Sequence, residues 1–196
     1  MTENHRETIR AFIAVHLPGK LLDRVAELRA ALEPHQGRAR IKWVRPGNMH
    51  ITLKFLGEIA TASVEPLGRA LRKELGAVRP FDIELAGCGS FPPRGRPRVL
   101  WVGVREGAER LKELAERVED ACAGLGFARE SRPFRAHLTL ARVKDSRGIE
   151  RLTRAMEQQA GFVAGRCRCD VVYLIKSELR PEGPRYTVLD TVALEG

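Results

Sequence analysis

The stretch MHITLKFLG at residues 49–57 decides the fold, because a second stretch, AHLTLAR at residues 136–142, repeats its centre. Both stretches contain His-x-Thr-Leu, at His50–Leu53 and at His137–Leu140. In each copy apolar residues alternate with polar ones, which is the period of a half-buried β-strand. We therefore predict two strands that each carry a histidine and a threonine on one face.

The surroundings of the two motifs are also repeated. Each copy is predicted as a helix, the His-x-Thr strand, a second helix and two further strands, and His137 follows His50 by 87 residues. This period is too long for a solenoid and indicates two related lobes in one domain spanning 1–196, with lobe-forming repeats at about 20–104 and 106–192. The apolar patterns predict strands at 8–15, 49–56, 81–88, 98–104, 134–142, 167–179 and 185–194, and helices at 20–32, 64–75, 111–125 and 149–159.

Length and composition describe a folded protein without a membrane span. The chain has 196 residues, of which 43% are hydrophobic and 30% charged, which is enough for a packed core and a polar surface. No apolar run approaches the roughly 18 residues of a membrane helix. The first ten residues, MTENHRETIR, lack the apolar segment of a secretory signal. We expect a cytoplasmic monomer.

The positive charge of the chain favours an anionic partner. The net charge is +9, and 27 arginines outnumber 7 lysines. The planar guanidinium suits phosphate groups, so nucleic acid is the obvious partner class. An arginine-rich proteome would produce the same surplus on any surface, and the charge by itself leaves both interpretations open.

Paired His-x-Thr strands suit the hydrolysis of a phosphodiester. If the two lobes face one cleft, His50, Thr52, His137 and Thr139 converge there. One neutral imidazole can take a proton from water, and the other, as imidazolium, can protonate the departing oxygen. The threonine hydroxyls can donate to the non-bridging oxygens. The residues alone do not say which histidine is the acid.

A metal site is the main rival interpretation of two histidines. The polar strand positions beside them hold threonine, Lys54 and Arg135, which supply no carboxylate or thiol and would repel a cation. We therefore predict neither a metal nor another cofactor. No role is assigned to His5, His16 or His35. The four cysteines are expected to be reduced thiols, mostly buried, because they form no C-x-x-C pair: Cys88, Cys122, Cys167 and Cys169.

The paired motifs HITL and HLTL resemble those of the two-histidine (2H) phosphoesterases. The surroundings are similar to the RNA 2′,3′-cyclic phosphodiesterases, also called 2′-5′ RNA ligases, over residues 10–189. The similar stretches are RAFIAVHLP, KWVRPGNMHITLKFLGE, RPRVLWVGV, FRAHLTLARV and SELRPEGPRYTVL. One departure is Ala136, where that branch often has proline before the second histidine.

This resemblance implies an α+β fold with two pseudo-symmetric lobes, each with an antiparallel sheet and flanking helices, and an active-site cleft between them. It implies metal-independent opening of RNA terminal 2′,3′-cyclic phosphates, such as those of tRNA halves, to 2′-phosphomonoesters, with 2′-5′ ligation as the reverse reaction. By motif, His50 is the proton donor, His137 is the proton acceptor, and Thr52 and Thr139 bind the phosphate.

Further residues are weaker candidates. Alternation places Arg135 on the face of His137, where it would hold phosphate, and places Arg142 on the opposite face unless a bulge turns it back. The candidate RNA contacts are Lys54, Trp43, Arg94, Arg96, Arg98 and Tyr186, while Phe55 is predicted to face the core. Two other functions stay open: a 2H enzyme for small cyclic nucleotides or ADP-ribose cyclic phosphate, and a non-catalytic protein that binds RNA ends.

Overall fold

The computed structural model describes residues 7–196, so the N-terminal segment with His5 lies outside the described residues. This part of the chain forms nine strands and four helices. In chain order they are β1 (Thr8–Val15), α1 (Gly19–Leu32), β2 (Arg40–Trp43), β3 (Ile51–Ala60), α2 (Val64–Leu75), β4 (Phe81–Phe91), β5 (Val99–Val104), α3 (Ala108–Ala123), β6 (His137–Asp145), α4 (Glu150–Gln158), β7 (Val163–Cys169), β8 (Val171–Arg180) and β9 (Gly183–Ala193).

The strands form two antiparallel sheets. The first has the order β3-β1-β8-β9, and the second has the order β2-β6-β5-β4-β7. The predicted α+β architecture with two antiparallel sheets is therefore confirmed. One His-x-Thr motif begins at β3 in the first sheet, and the other begins at β6 in the second.

Each sheet takes strands from both halves of the sequence. In the first sheet β1 and β3 pair beside β8 and β9, whereas β6 and β7 join β4 and β5 in the second. The helices also pack against elements from the other half of the sequence: α1 contacts β7 and α4, and α3 contacts β3 and α2. The sequence repeats at 20–104 and 106–192 therefore do not coincide with the two sheets.

The helices bury one apolar side because their apolar residues recur at helical spacing. In α1 these residues are Leu21, Val25, Leu28 and Leu32, all of which are buried. They share a core with the inward side chains of the sheets, such as Ile51 and Leu138. In the first sheet the opposite face carries a separate small cluster of Phe12, Ala14 and Ile175. The sheets therefore have one face covered by helices and another that carries the motif residues.

The structure differs from the predicted elements in three places. The strand β2 was not predicted, because four residues that alternate arginine and lysine with apolar residues give a weak signal. The predicted single strand at 167–179 is two strands, β7 and β8, which separate at Asp170 and enter different sheets. The predicted strand at 134–142 begins only at His137.

No helix in the described part of the chain combines the length and apolar composition needed to cross a membrane.

Candidate active site

The two motif histidines are held by the main chain in the same way. Nδ1 of His50 lies 2.9 Å from the carbonyl oxygen of Asn48, and Nδ1 of His137 lies 2.7 Å from that of Arg135. Because a carbonyl can only accept a hydrogen bond, each Nδ1 carries the proton and donates it. In the neutral ring this leaves Nε2 with a free lone pair. Both histidines therefore present the same unprotonated atom.

Burial keeps both imidazoles neutral in the free protein. It lowers the pKa of His50 to about 4, against the opposing effect of the bond to Asn48, and the nearby positive charges of His16 and Arg142 lower it further. Burial also lowers the pKa of His137, where Arg142 again adds to the effect. A bound anion would act in the opposite direction and favour the imidazolium form.

The two motifs line the same cleft. Thr52 and Thr139 lie two residues after their histidines, on the same strand face, and both are half-buried. The strands β3 and β6 contact each other across the two sheets. Arg142 is close enough to act on the pKa of both His50 and His137. The structure thus brings His50 and His137 near the same guanidinium, and each threonine lies on the strand face of its own histidine.

A β-bulge follows each motif at the same position. In β3, Thr52 pairs with Ala14 and Lys54 pairs with Ile13, so Leu53 has no partner on β1. In β6, Thr139 pairs with Trp101 and Ala141 pairs with Leu100, so Leu140 has no partner on β5. One unpaired residue reverses the alternation of the side chains after it up to the next irregularity, which in β3 is at Leu56.

The bulge in β6 turns Arg142 onto the cleft face. Leu140 and Ala141 are both fully buried, and the next residue, Arg142, is exposed. The regular alternation that placed Arg142 on the opposite face is therefore wrong at this point. Phe55 occupies the equivalent place in β3: it is 59% exposed instead of facing the core, and its ring lies 6.1 Å from that of Phe12.

The bulge in β3 removes Lys54 from the cleft. Its side chain is only 3% exposed and forms an ion pair of 2.7 Å with Glu119 in α3. Its Nζ also donates to the carbonyl oxygen of Ala128 at 2.8 Å. The prediction that Lys54 shares the face of His50 and contacts RNA is wrong, because the alternation reverses after Leu53.

Trp43 is also absent from the cleft face. It pairs with the buried Ala141 and packs against the main core. Its Nε1 donates to Gln36 at 3.1 Å, and the guanidinium of Arg29 in α1 lies 5.7 Å from the ring centroid. The predicted RNA contact of Trp43 is therefore replaced by packing beneath α1.

Aromatic rings surround His50 in the first sheet. The Phe12 ring stacks on the imidazole, with centroids 4.6 Å apart, and Tyr186 meets it edge-on at 5.3 Å. Asn48 donates from its side chain to the carbonyl oxygen of Pro184 at 2.8 Å, while its own carbonyl binds His50. Tyr186 therefore lies beside the predicted site, and Asn48 ties β9 to the histidine.

In the second sheet Phe91 has the corresponding role beside His137. Its ring meets the imidazole edge-on at 5.1 Å and lies 5.3 Å from Trp101. The guanidinium of Arg135 lies over Phe91, 5.8 Å from the ring centroid. Arg135 is therefore near His137, as predicted, but it stacks on an aromatic ring, and its carbonyl is the group that contacts the histidine.

Arg94, Arg96 and Arg98 are exposed between β4 and β5. The main chain of Arg98 bonds to that of Phe91 and Val143, so this residue lies near the second motif. Arg96 lines a surface depression with Arg38 and the segment 145–150, at the end of β6 opposite His137. No hydrogen bond or ring contact described for these three side chains reaches a motif residue.

A third histidine, which the sequence analysis left unassigned, lies near the site. His16 follows β1, and since Val15 pairs with Ile51, its position is next to that of His50. The His16 ring stacks on Tyr173, with centroids 4.2 Å apart. Its nearness to His50 depends on the pairing of β1 with β3, which no local pattern in the sequence reveals.

The described residues contain no cluster of three or more His, Cys, Asp or Glu side chains suited to a metal ion. The four cysteines form no disulfide. Burial raises the pKa of the thiols of Cys88, Cys122 and Cys167 to about 11 and that of Cys169 to about 12. These thiols are therefore neutral at physiological pH.

Solved structures share this fold over nearly the whole chain. TT0787 of Thermus thermophilus has a TM-score of 0.80 and 30% identity, covering 96% of this chain and 99% of its own. The LigT protein of E. coli complexed with 3′-AMP has a TM-score of 0.78 and 27% identity, covering 97% of this chain and 100% of its own.

Curated relatives agree with this comparison. An RNA 2′,3′-cyclic phosphodiesterase of Methanothermobacter thermautotrophicus is 34% identical over 95% of this chain and 99% of its own length. One from Aeropyrum pernix is 36% identical over 86% and 94%, respectively. The model of the LigT-like phosphoesterases matches twice, at residues 15–101 and 102–186. The resemblance to 2H phosphoesterases is confirmed, and the chain belongs to the LigT-like phosphoesterase family.

Proposed function

We propose that this chain hydrolyses RNA 2′,3′-cyclic phosphate ends to 2′-phosphomonoesters by paired-histidine acid–base catalysis. The observation that carries the proposal is the matched pair of imidazoles, each fixed through Nδ1 to a carbonyl two residues earlier. Such a pair supplies a proton acceptor and a proton donor to one phosphate without a nucleophilic side chain. The relatives named RNA 2′,3′-cyclic phosphodiesterase support this choice of substrate.

In the proposed reaction His137 is the base and His50 is the acid, as the family resemblance implies. Nε2 of His137 accepts a proton from water, whose oxygen forms a bond to phosphorus. The bond from phosphorus to the 3′-oxygen breaks, and that oxygen takes the proton on Nε2 of His50. The product carries a 2′-phosphate and a 3′-hydroxyl. The two histidines then return to their starting states by exchange with solvent.

Thr52, Thr139 and Arg142 stabilise the charge that develops on the non-bridging oxygens. The two hydroxyls donate hydrogen bonds, and the guanidinium supplies a positive charge between the motifs. Because His50 has a pKa of about 4 in the free protein, it needs the anionic substrate to become protonated near neutral pH. Substrate binding is therefore expected to create the acid form.

The first test is turnover of an RNA oligonucleotide with a 2′,3′-cyclic end in excess EDTA. We expect full activity, and a loss of about 100-fold or more in kcat for His50→Ala and for His137→Ala, because each removes one proton transfer. His35→Ala is the matched control, since His35 lies in a turn after α1. Rates close to wild type for both motif variants would rule the mechanism out.

A substrate with sulfur in place of the 3′-oxygen separates the two roles. A thiolate leaves without protonation, so the defect of His50→Ala should shrink by about tenfold or more, while that of His137→Ala should persist. If the sulfur substrate rescued His137→Ala instead, His137 would be the acid and His50 the base.

We propose RNA ends such as those of tRNA halves as the preferred substrates, and a cytoplasmic monomer as the active form. The net charge of +9 supports a polyanionic substrate. The same groups can join 2′-5′ ends when a 5′-hydroxyl takes the place of water. Its proton goes to His137, its oxygen bonds to phosphorus, and the bond from phosphorus to the 3′-oxygen breaks as His50 protonates that oxygen. A panel that compares RNA ends with cyclic mononucleotides and ADP-ribose cyclic phosphate tests this preference.

A further inference from the structure

The short strand β2 extends the cleft face beside Arg142. Lys42 pairs directly with Arg142 in the antiparallel register of β2 and β6. Residues directly opposite each other in such a pair point to the same face. Lys42 therefore shares the cleft face with Arg142. Arg40 lies two residues earlier on β2, and it is exposed on the same side as Lys42.

The other face of β2 is packed. Ile41 and Trp43 are half-buried and contact the main core. The alternation of β2 is therefore real and not a loop with scattered charges. Arg40, Lys42 and Arg142 form a continuous line, which we call the basic row. Its members are about 4.8 Å apart across the strands and about 6.7 Å apart along β2.

In the described part of the chain the members of the basic row form no salt bridge, although Arg40 is near enough to Asp145 to help lower the pKa of that carboxyl. Among the residues that the structure describes, no carboxylate lies within 4.0 Å of any of the three members. Asp145 is opposite Arg40, but its carboxylate binds Arg147. Cations on the helices, in contrast, form ion pairs with nearby glutamates, as in Arg29–Glu33 and Arg69–Glu65.

We propose that Arg40 and Lys42 continue the phosphate site of Arg142 and bind the backbone phosphates of single-stranded RNA next to the reacting end. This inference rests on the proposed function, since it assigns an RNA chain to the same cleft. A mononucleotide would reach Arg142 only, whereas an oligonucleotide would also engage the two cations of β2. The basic row would thus favour polymer ends over small cyclic nucleotides.

The charges of β2 have a second explanation that the experiment must separate. β2 is the edge strand of the second sheet, and cations on edge strands prevent pairing with other chains. In that case their removal would cause association of the protein without any loss of RNA affinity.

The test measures the affinity of the protein for a fluorescently labelled RNA of about eight nucleotides with a terminal 2′-phosphate. Fluorescence anisotropy gives this affinity at several salt concentrations. A plot of log affinity against log salt concentration has a negative slope. For Arg40→Gln/Lys42→Gln we expect this slope to become less steep by about 1.4. Relative to wild type, the variant should therefore lose about 25-fold more affinity at 0.1 M salt than at 1 M. The matched control is Lys73→Gln/Arg151→Gln, which removes two exposed cations from α2 and α4. It should keep the wild-type slope.

An unchanged slope in Arg40→Gln/Lys42→Gln, an equal fall in the control, or association without loss of affinity would overturn the proposal. A turnover arm compares the oligonucleotide with a cyclic mononucleotide, and the ratio of their kcat/KM values should fall by about fivefold or more in Arg40→Gln/Lys42→Gln. If the wild-type protein turns over neither substrate, the proposed function fails, while the binding data still decide the basic row.

Discussion

At the residue scale, the tautomer of each motif histidine depends on a hydrogen bond to a main-chain carbonyl, and this bond cannot be predicted from the sequence. His50 and His137 differ in their neighbours, yet both donate Nδ1–H to the main chain two residues back. The sequence predicts which side chains share a strand face, because alternation is a local property. It does not predict the tautomer, since that depends on the path of the chain before the strand.

The low pKa of His50 predicts a loss of stability in acid. The unfolded chain binds a proton at its ordinary pKa of 6.5, whereas the folded protein does so only near 4. The free energy of unfolding should therefore not depend on His50 above pH 6.5 and should fall as the pH drops from 6.5 to about 4. Urea unfolding should show that His50→Gln loses less stability over this range than wild type. Equal losses would contradict the shifted pKa.

Lys54 is expected to matter for stability and not for catalysis. Lys54→Met leaves Glu119 without its partner in a poorly solvated place, which costs about 3–5 kcal/mol in the free energy of unfolding. Arg69→Met, which breaks an exposed pair with Glu65, should cost at most about 1 kcal/mol. Denaturant titrations measure both values. The double change Lys54→Met/Glu119→Leu should recover much of the loss, and a smaller cost for Lys54→Met than for Arg69→Met would refute this account.

At the element scale, the bulges in β3 and β6 limit what the sequence could predict. Periodicity predicts most strands and all four helices, because hydrophobic spacing reflects the buried side of each element. It fails at Lys54, Phe55 and Arg142, which all follow the unpaired residue of a bulge. An unpaired residue is defined by the register of the partner strand, and no local pattern contains that register.

Because of the bulge in β6, we expect Arg142 to contribute more to catalysis than Arg135. Simple alternation along the strand predicts the opposite order. Arg142→Gln removes a charge from between the two motifs and should lower kcat/KM by about 100-fold or more. Arg135→Gln should cost less than about tenfold, because its guanidinium stacks on Phe91 and its carbonyl, which holds His137, is retained. Steady-state kinetics on one cyclic-ended RNA measure both variants. A larger defect for Arg135→Gln would mean that Arg142 does not serve the phosphate.

At the scale of the whole molecule, the exchange of strands between the sheets was beyond prediction. The repeated order of elements reveals a duplication, but a repeat can close on itself or exchange strands with its neighbour without any change of hydrophobic pattern. The structure shows the second arrangement, with β8 and β9 beside β1. Both lobes therefore depend on the complete chain.

This exchange predicts that the protein unfolds as one unit. Far-ultraviolet circular dichroism and tryptophan fluorescence should give coincident urea transitions, since neither sheet can lose its partners alone. The fragments 1–104 and 105–196 should each fail to give a cooperative transition, because each lacks strands of both sheets. If the missing partner strands are the reason why the fragments do not fold, mixing the two fragments should restore a cooperative transition. Independent folding of either fragment would contradict the prediction.

The bulges in β3 and β6 also make the two sides of the pseudo-symmetric cleft different. The equivalent strands present the same histidine and the same threonine, and their cleft faces first differ at the fifth residue after the histidine, where one has Phe55 and the other Arg142. A ligand could enter a fully twofold cleft in either orientation. With an apolar ring on one motif strand and a cation on the other, the two orientations of a ligand are no longer equivalent. Phe55 and Arg142 are therefore one pair of non-identical side chains that distinguishes the two orientations of a ligand.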